Sequence, residues 1–396
     1  MLAERDAHTA TVLTNGKVLA TGGRKGSNSL NSAELYDPSA QAWTATSSMN
    51  NSRYWHTASI LTNGKVLVTG GISTSTVLKC AKSYVSLTKA LRTIDQMNNA
   101  GNNRKTPLIP NENVLVSDTL ASSELYDPPA GVWTVTGSMH HARNNHATSV
   151  LNNGQVLVSG GFSSSALKSA ELYDPSTGYW AITDSMNQER RYHTASVLKN
   201  GQVLVSGGFT TDGSALNSTE LYDPSTGIWT VTGSLNYARG HHTANLLTDG
   251  KILVTGGFYG ISIGINSAEL YDPSTGTWTT TGSMNDGRAL HTATLLTNEQ
   301  VLVTGGYYHV FTSLDSAELY DPSAGTWKTT DSMFDSRDTH TASLLINGEV
   351  LVSGGMVNFI LYRHSAELYS PSTEITVTID KINSIWNNRN ASALTN

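Results

Sequence analysis

Short apolar runs separated by Gly, Pro, Asn and Asp follow one another along almost the whole chain, and none keeps a 3.6-residue period for helical length. In the stretch 288–336 they read in order as His-Thr-Ala-x-Leu-Leu, Val-Leu-Val-x-Gly-Gly, Ala-Glu-Leu-Tyr-Asp-Pro and a run opened by Trp, which predicts four strands, A to D. The turns between them agree. Asn15-Gly16, Asn63-Gly64, Asn153-Gly154, Asn200-Gly201, Asp249-Gly250 and Asn347-Gly348 stand between A and B, where they predict type I′ hairpins. Asp-Pro-Ser-Thr-Gly, as at Asp272 to Gly276, stands between C and D; proline presets one turn dihedral and glycine supplies the positive φ.

This unit recurs. Copies start near residues 5, 53, 101, 143, 190, 239, 288 and 337, spaced 42–49 residues apart, a period of propeller blades or helical arrays. With no helical pattern, blades are selected. The sequence predicts an all-β propeller of four-stranded blades forming one domain over residues 1–382, with eight blades expected and seven as the alternative. The alternative applies if the degenerate stretch 80–119 fails to make its half-blades. That stretch aligns without a gap, yet Lys82, Leu91, Gly101, Arg104 and Asp118-Thr119 stand where other copies have Glu, Trp, Arg, His and Gly-Gly. The chain opens with strand A and closes with strand D, so the last blade is expected to close without exchanging a strand. Residues 383–396 read as a tail resembling the start of another repeat, as in a piece of a longer array.

Two signatures inside the unit carry a family resemblance. Gly-Gly ends strand B at Gly22 and Gly23, Gly70 and Gly71, Gly160 and Gly161, Gly207 and Gly208, Gly256 and Gly257, Gly305 and Gly306, and Gly354 and Gly355. Tyr and Trp, with six residues between them, pair at Tyr36 and Trp43, Tyr126 and Trp133, Tyr173 and Trp180, Tyr222 and Trp229, Tyr271 and Trp278, and Tyr320 and Trp327; Leu91 and Thr376 replace Trp in the second and eighth copies. The pattern resembles the kelch repeat over nearly the whole chain. That resemblance implies blades set radially about a channel, strand A innermost and strand D outermost. It also implies a role in binding other proteins or, in the galactose-oxidase branch, oxidation.

Residues present in every blade read first as blade chemistry. Arg5, Arg53, Arg143, Arg190, Arg239, Arg288 and Arg337 match in number Glu34, Glu124, Glu171, Glu220, Glu269, Glu318 and Glu367, and charges buried between sheets must be paired. Because Lys82 and Gly101 remove a Glu and the next copy's Arg together, the pairing is expected to run between neighbouring blades. His8, His56, His146, His193, His242, His291 and His340 also recur. Blade-to-blade separation is too great for a shared zinc, whose ligand bonds are about 2.0–2.1 Å, so hydrogen bonding at the start of strand A is expected and no metal site.

Charge narrows the function. The formal net charge is −6 and only 14% of residues are charged, against roughly 25% in an average domain, which argues against nucleic acid as a partner. Cys80 is the single cysteine, so no intramolecular disulfide or Cys-based metal site can form. The copper site that the galactose-oxidase branch implies needs a tyrosine cross-linked to a cysteine, and Cys80 lies in the degenerate stretch. The Asp-Pro-Ser-Thr-Gly-Thr-Trp run has the wrong register for a sialidase Asp-box. No P-loop, dinucleotide fingerprint, Gly-x-Ser-x-Gly or His-Glu-x-x-His occurs. The chain therefore reads as non-catalytic, with no cofactor. No apolar run of about 18 residues and no signal-peptide pattern is present, so no membrane insertion is expected and the reading favours the cytoplasm.

Function is sought where the copies disagree. Alternating strands put the near-uniform A–B and C–D turns on one face, and the variable B–C loops with the D–A links on the other. In later copies these loops carry Phe258, Tyr259, Tyr307, Tyr308, His309, Phe311, Met356, Phe359, Tyr362 and Arg363, the residue types that dominate interface energetics. They are the expected contact residues for a protein partner of unstated identity. The sequence thus reads as an interaction scaffold, with a glycan-binding or galactose-oxidase-like propeller as the alternative.

Overall fold

The computed structural model describes residues 1–75, 116–260, 263–309, 312–358 and 361–379. Among them, seven antiparallel sheets each contain four strands in the order A-B-C-D. Blade 1 comprises Thr9–Val12, Val18–Thr21, Ala33–Asp37 and Ala42–Thr46; blades 3 to 7 repeat it over 147–183, 194–231, 243–280, 292–330 and 341–378. No helix among the described residues is long and apolar enough to cross a membrane.

Blade 2 is spliced from two copies, and this makes the expected eight blades seven. Its A and B strands, Thr57–Ile60 and Val66–Thr69, belong to the second copy; its C and D strands, Ser123–Asp127 and Val132–Val135, belong to the third. Ser123 pairs with Thr69 and Tyr126 with Val66, the same register as Ala33 with Thr21 and Tyr36 with Val18 in blade 1. Out of this blade a small hairpin, Ile72–Ser75 with Val116–Thr119, continues toward the loops. The chain between Ser75 and Val116 therefore takes the place of a B–C loop. Lys82, Leu91, Gly101 and Arg104 fall there, outside the described residues, as does the tail over 383–396.

Each B strand is buried on both faces because a blade lies on either side of it. The cores accordingly sit between blades. Leu151, Leu157, Ala170 and Met186 of blade 3 and its outgoing link meet Val203, Val205, Tyr222 and Trp229 of blade 4 in one such cluster. Val18 and Tyr36 of blade 1 meet Leu345, Leu351, Ala366 and Leu368 of blade 7 in the cluster that closes the circle, with no exchanged strand.

The A–B turns differ from the type I′ expectation. Gly16 has φ +79° and donates to the Leu13 carbonyl at 2.9 Å, while Leu13 donates to Lys17 at 2.8 Å; Asn15 keeps a negative φ. This is a three-residue connection in which glycine alone needs the left-handed region, and the Asn15 side chain accepts from the Lys17 amide.

Candidate functional site at the axial mouth

The recurrent Arg and Glu build the frame. Each arginine meets the glutamate of its own blade, at 2.5–2.9 Å from Arg5 to Glu34 through Arg288 to Glu318, and likewise Arg337 with Glu367. This corrects the expected pairing between neighbouring blades. Lys82 and Gly101, on which that expectation rested, lie outside the described residues. Burial pushes the guanidinium of Arg143 below its ordinary value, and the charge of Glu171 offsets part of that cost. The second guanidinium nitrogen donates to the Gly160 carbonyl at 2.7 Å and to the Ser169 carbonyl at 3.0 Å, so the pair is fully hydrogen-bonded.

The Gly-Gly step and the histidines join blades. Gly23 donates to the Arg53 carbonyl of the next blade at 2.8 Å, and a Cβ on Gly22 would stand 2.6 Å from that oxygen. His56 Nε2 bonds the Thr9 hydroxyl of blade 1 at 3.0 Å, and the contact repeats to His8 with Thr341 of blade 7 at 3.1 Å. Burial holds these imidazoles neutral, with His56 and His340 lowered to about 3. Among the described residues, no three His, Cys, Asp or Glu side chains group closely enough to hold a metal ion.

Between the fixed Arg and His of every blade lie two variable residues, and these shape the site. The second of the two is Ala7, Trp55, Asn145, Tyr192, His241, Leu290 or Thr339, each with φ between 49° and 56°. Each donates its amide to the carbonyl of its counterpart in the preceding blade, at 3.0–3.4 Å, so seven bonds circle the axis. Seven non-glycine residues in the left-handed region store strain of roughly 1 kcal/mol or more each, held by the ring they close. The frame is constant; the side chains it presents at the mouth differ in every blade.

Four of these residues, with Phe258 and Tyr307 from the B–C loops, form an aromatic wall carrying two cations. Tyr54, Trp55, Tyr192, His241, Phe258 and Tyr307 follow one another with ring centroids 3.7–6.5 Å apart. Arg24 lies over Tyr54 and Trp55 at 5.3 and 5.4 Å, and its Nε donates to both Asp6 oxygens at 3.2 Å. Arg191 lies 4.6 Å over Phe162 and 5.6 Å over Tyr192, and among the described residues no hydrogen-bond acceptor or acidic group pairs with it. Burial lowers His241 to about 3, so its ring is neutral against Tyr192.

The B–C loops brace one another around this mouth. Ser29 donates to the Thr74 hydroxyl, Ala166 to Thr211, Gly264 to the Tyr308 carbonyl and Ser313 to Asn358, at 2.7–2.9 Å, and the Tyr362 hydroxyl reaches the Gly26 carbonyl at 3.2 Å. A family model described as the KLHDC2/KLHL20/DRC7 Kelch-repeats domain matches residues 146–355, and a Kelch motif matches residues 7–50. The chain belongs to this kelch-repeat family. No curated protein matches the kelch propeller. Among solved structures, a protein described as a novel fungal alcohol oxidase with catalytic diversity among the AA5 family, in complex with copper, aligns over 90% of this chain and 71% of its own, at 18% identity and a TM-score of 0.66. That likeness shows the fold alone.

The expected contact residues of the kelch propeller divide by burial. Tyr259 (69% exposed), Tyr308 (45%) and His309 stand free on the loops, and Tyr362 and Arg363 are half-buried, Arg363 paired with Asp335 at 3.3 Å. Phe258, Tyr307 and Met356 are buried, because their backbones pair with Gly240, Ala289 and Asp338 and carry the side chains beneath the rim. Phe311 and Phe359 lie outside the described residues. Sequence reasoning passed over Asp6, Arg24, Trp55, Arg191, Tyr192 and His241. The available signal was the variable pair inside each otherwise constant Arg-x-x-His segment.

Proposed function

We propose that this kelch propeller is a protein-interaction module whose loop-face mouth receives an acidic segment of a partner protein. The observation that carries the reading is Arg191: a cation fixed over the Phe162 ring, in a ring-shaped aromatic mouth, with no acidic partner among the described residues. A guanidinium in such a setting is only partly hydrated and offers its remaining N–H groups to a planar carboxylate. Arg24 adds a second point of attachment, since its Nε is committed to Asp6 while, among the described residues, no acceptor meets its terminal nitrogens. Tyr259 and Tyr308 supply rigid apolar area exposed on the same loop face. The braced loops keep this surface preformed, which lowers the entropy lost on binding. Equilibrium binding of acidic peptides to the whole chain and to its Arg191→Ala variant tests the reading; loss of binding with unchanged thermal stability is expected.

A further inference from the structure

Asp6 and Asp338 are fully buried at the seam where blade 7 meets blade 1. Each stands one residue before a member of the axial ring, Ala7 and Thr339, whose backbones are bonded to each other. The equivalent positions in the other blades hold Tyr54, Asn144, Arg191, Gly240 and Ala289, so carboxyl groups occupy this position only in the two blades that form the seam.

One cation, Arg24, acts on both, by contact with Asp6 and through its field alone on Asp338. Arg24 binds Asp6 through Nε, while Asp338 accepts from the Ser313 hydroxyl at 2.6 Å and from Thr339 at 3.2 Å. The other groups facing the pair do not supply charge. Tyr54 and Tyr362, from the link into blade 2 and the blade 7 loop, are phenols that burial pushes above their ordinary value. Arg5 and Arg337, next in sequence to the two carboxyls, are committed to Glu34 and Glu367. Burial is the main cause that raises Asp6 and Asp338 to about 6 each, and the charge of Asp6 is a smaller contribution in the same direction at Asp338.

We propose that the Asp6–Asp338 pair is a proton-operated control on the mouth: ionised, it holds Arg24 and opposes an acidic partner, whereas one added proton leaves the charge of Arg24 to that partner. This rests on the mouth reading above. Linkage makes the effect reciprocal, so a carboxylate bound at Arg24 tightens the pair's hold on its proton by the factor by which the proton tightens binding. A change of one pKa unit in the pair corresponds to at most about tenfold in affinity.

The test uses rhodamine-labelled hexaglutamate and the whole chain, followed by fluorescence anisotropy at pH 7.5 and 6.0 and fixed ionic strength, with circular dichroism confirming the fold. Wild type is expected to bind about three- to tenfold more tightly at pH 6.0. Asp338→Asn and Asp6→Asn, which fix the pair in a less charged state, are expected to bind at pH 7.5 as wild type does at pH 6.0 and to lose most of the pH dependence. If both variants keep the wild-type affinity and pH dependence while Arg191→Ala abolishes binding, the control is wrong and the mouth reading stands. If hexaglutamate binds at neither pH, or binds Arg191→Ala and Arg24→Ala as it binds wild type, both fall. Should Asp338→Asn fail to fold, Asp6→Asn alone decides.

Discussion

The Ala7 amide donates to the Thr339 carbonyl at 3.4 Å, joining the first blade to the seventh across 332 residues of sequence. The same seam is held by Gly355 donating to the Arg5 carbonyl at 3.0 Å and by Thr341 with the His8 ring at 3.1 Å. Closure therefore repeats the contacts found between every other pair of blades, and the blade frame itself makes the circle.

The buried ion pairs are expected to matter far more than exposed ones. Arg239→Ala leaves Glu269 buried without its cation and should cost about 3–5 kcal/mol, whereas Lys328→Ala, which breaks the exposed contact with Glu374, should cost under about 1 kcal/mol. Urea unfolding of the two variants checks the contrast.

Two glycines with similar φ should respond differently. Gly208 has φ +102° and its added Cβ would stand 2.7 Å from the Arg191 carbonyl, so Gly208→Ala is expected to destabilise by several kcal/mol. Gly213 has φ +87° with open space around it, and Gly213→Ala should cost only about 1–2 kcal/mol of backbone strain. Thermal denaturation separates the outcomes.

Acid should weaken the fold. Eight imidazoles, the seven buried recurrent ones and the half-buried His241, titrate in the fold below their ordinary value, while the unfolded chain takes up protons near 6.5. Their contribution is complete above about pH 6.5 and is lost as pH falls toward the folded values, about 3 for His56, His241 and His340. Asp6 and Asp338, raised from 3.8 to about 6, act in the opposite sense: their contribution is present below about pH 4 and is lost as pH rises through 6. The imidazoles outnumber the carboxyls, so the melting temperature should fall between pH 7 and pH 5. His340→Gln should melt lower at pH 7 and show a shallower slope.

Most of the blade was legible because its chemistry repeats. Tyr126 with Trp133, Arg53 with Glu124 and the Gly70-Gly71 step each do the same job seven times over or nearly so, and repetition exposes them in one sequence. Blade number was harder, since the chain from Ser75 to Val116 keeps the length of a C–D plus A–B segment, and length alone cannot tell a half-blade pair from a loop. The site was least legible. Trp55 and Tyr192 lie in different blades, 137 residues apart, and touch at 6.5 Å only because φ near +50° turns both onto the axis. The burial of Phe258 and Tyr307 was not legible, because an apolar loop residue reads the same whether it faces water or, as here, pairs inward.

The splice in blade 2 gives a direct check on blade count. Ser75 and Val116 face each other in the hairpin, so replacing the chain between them with Asn-Gly should leave a folded propeller with an unchanged cooperative transition. Loss of folding would show that residues of that chain complete a blade.

The central claim, that the loop-face mouth takes an acidic partner segment, is tested most directly by selecting a displayed peptide library against the whole chain and measuring the selected peptides on variants. The expected peptides are rich in Asp or Glu and are bound at least about tenfold more weakly by Arg191→Ala, more weakly by a smaller factor by Tyr308→Ser, and equally well by Ile346→Ser on the opposite face. Selected peptides without acidic residues, or peptides that lose affinity for Ile346→Ser and keep it for Arg191→Ala, would contradict it.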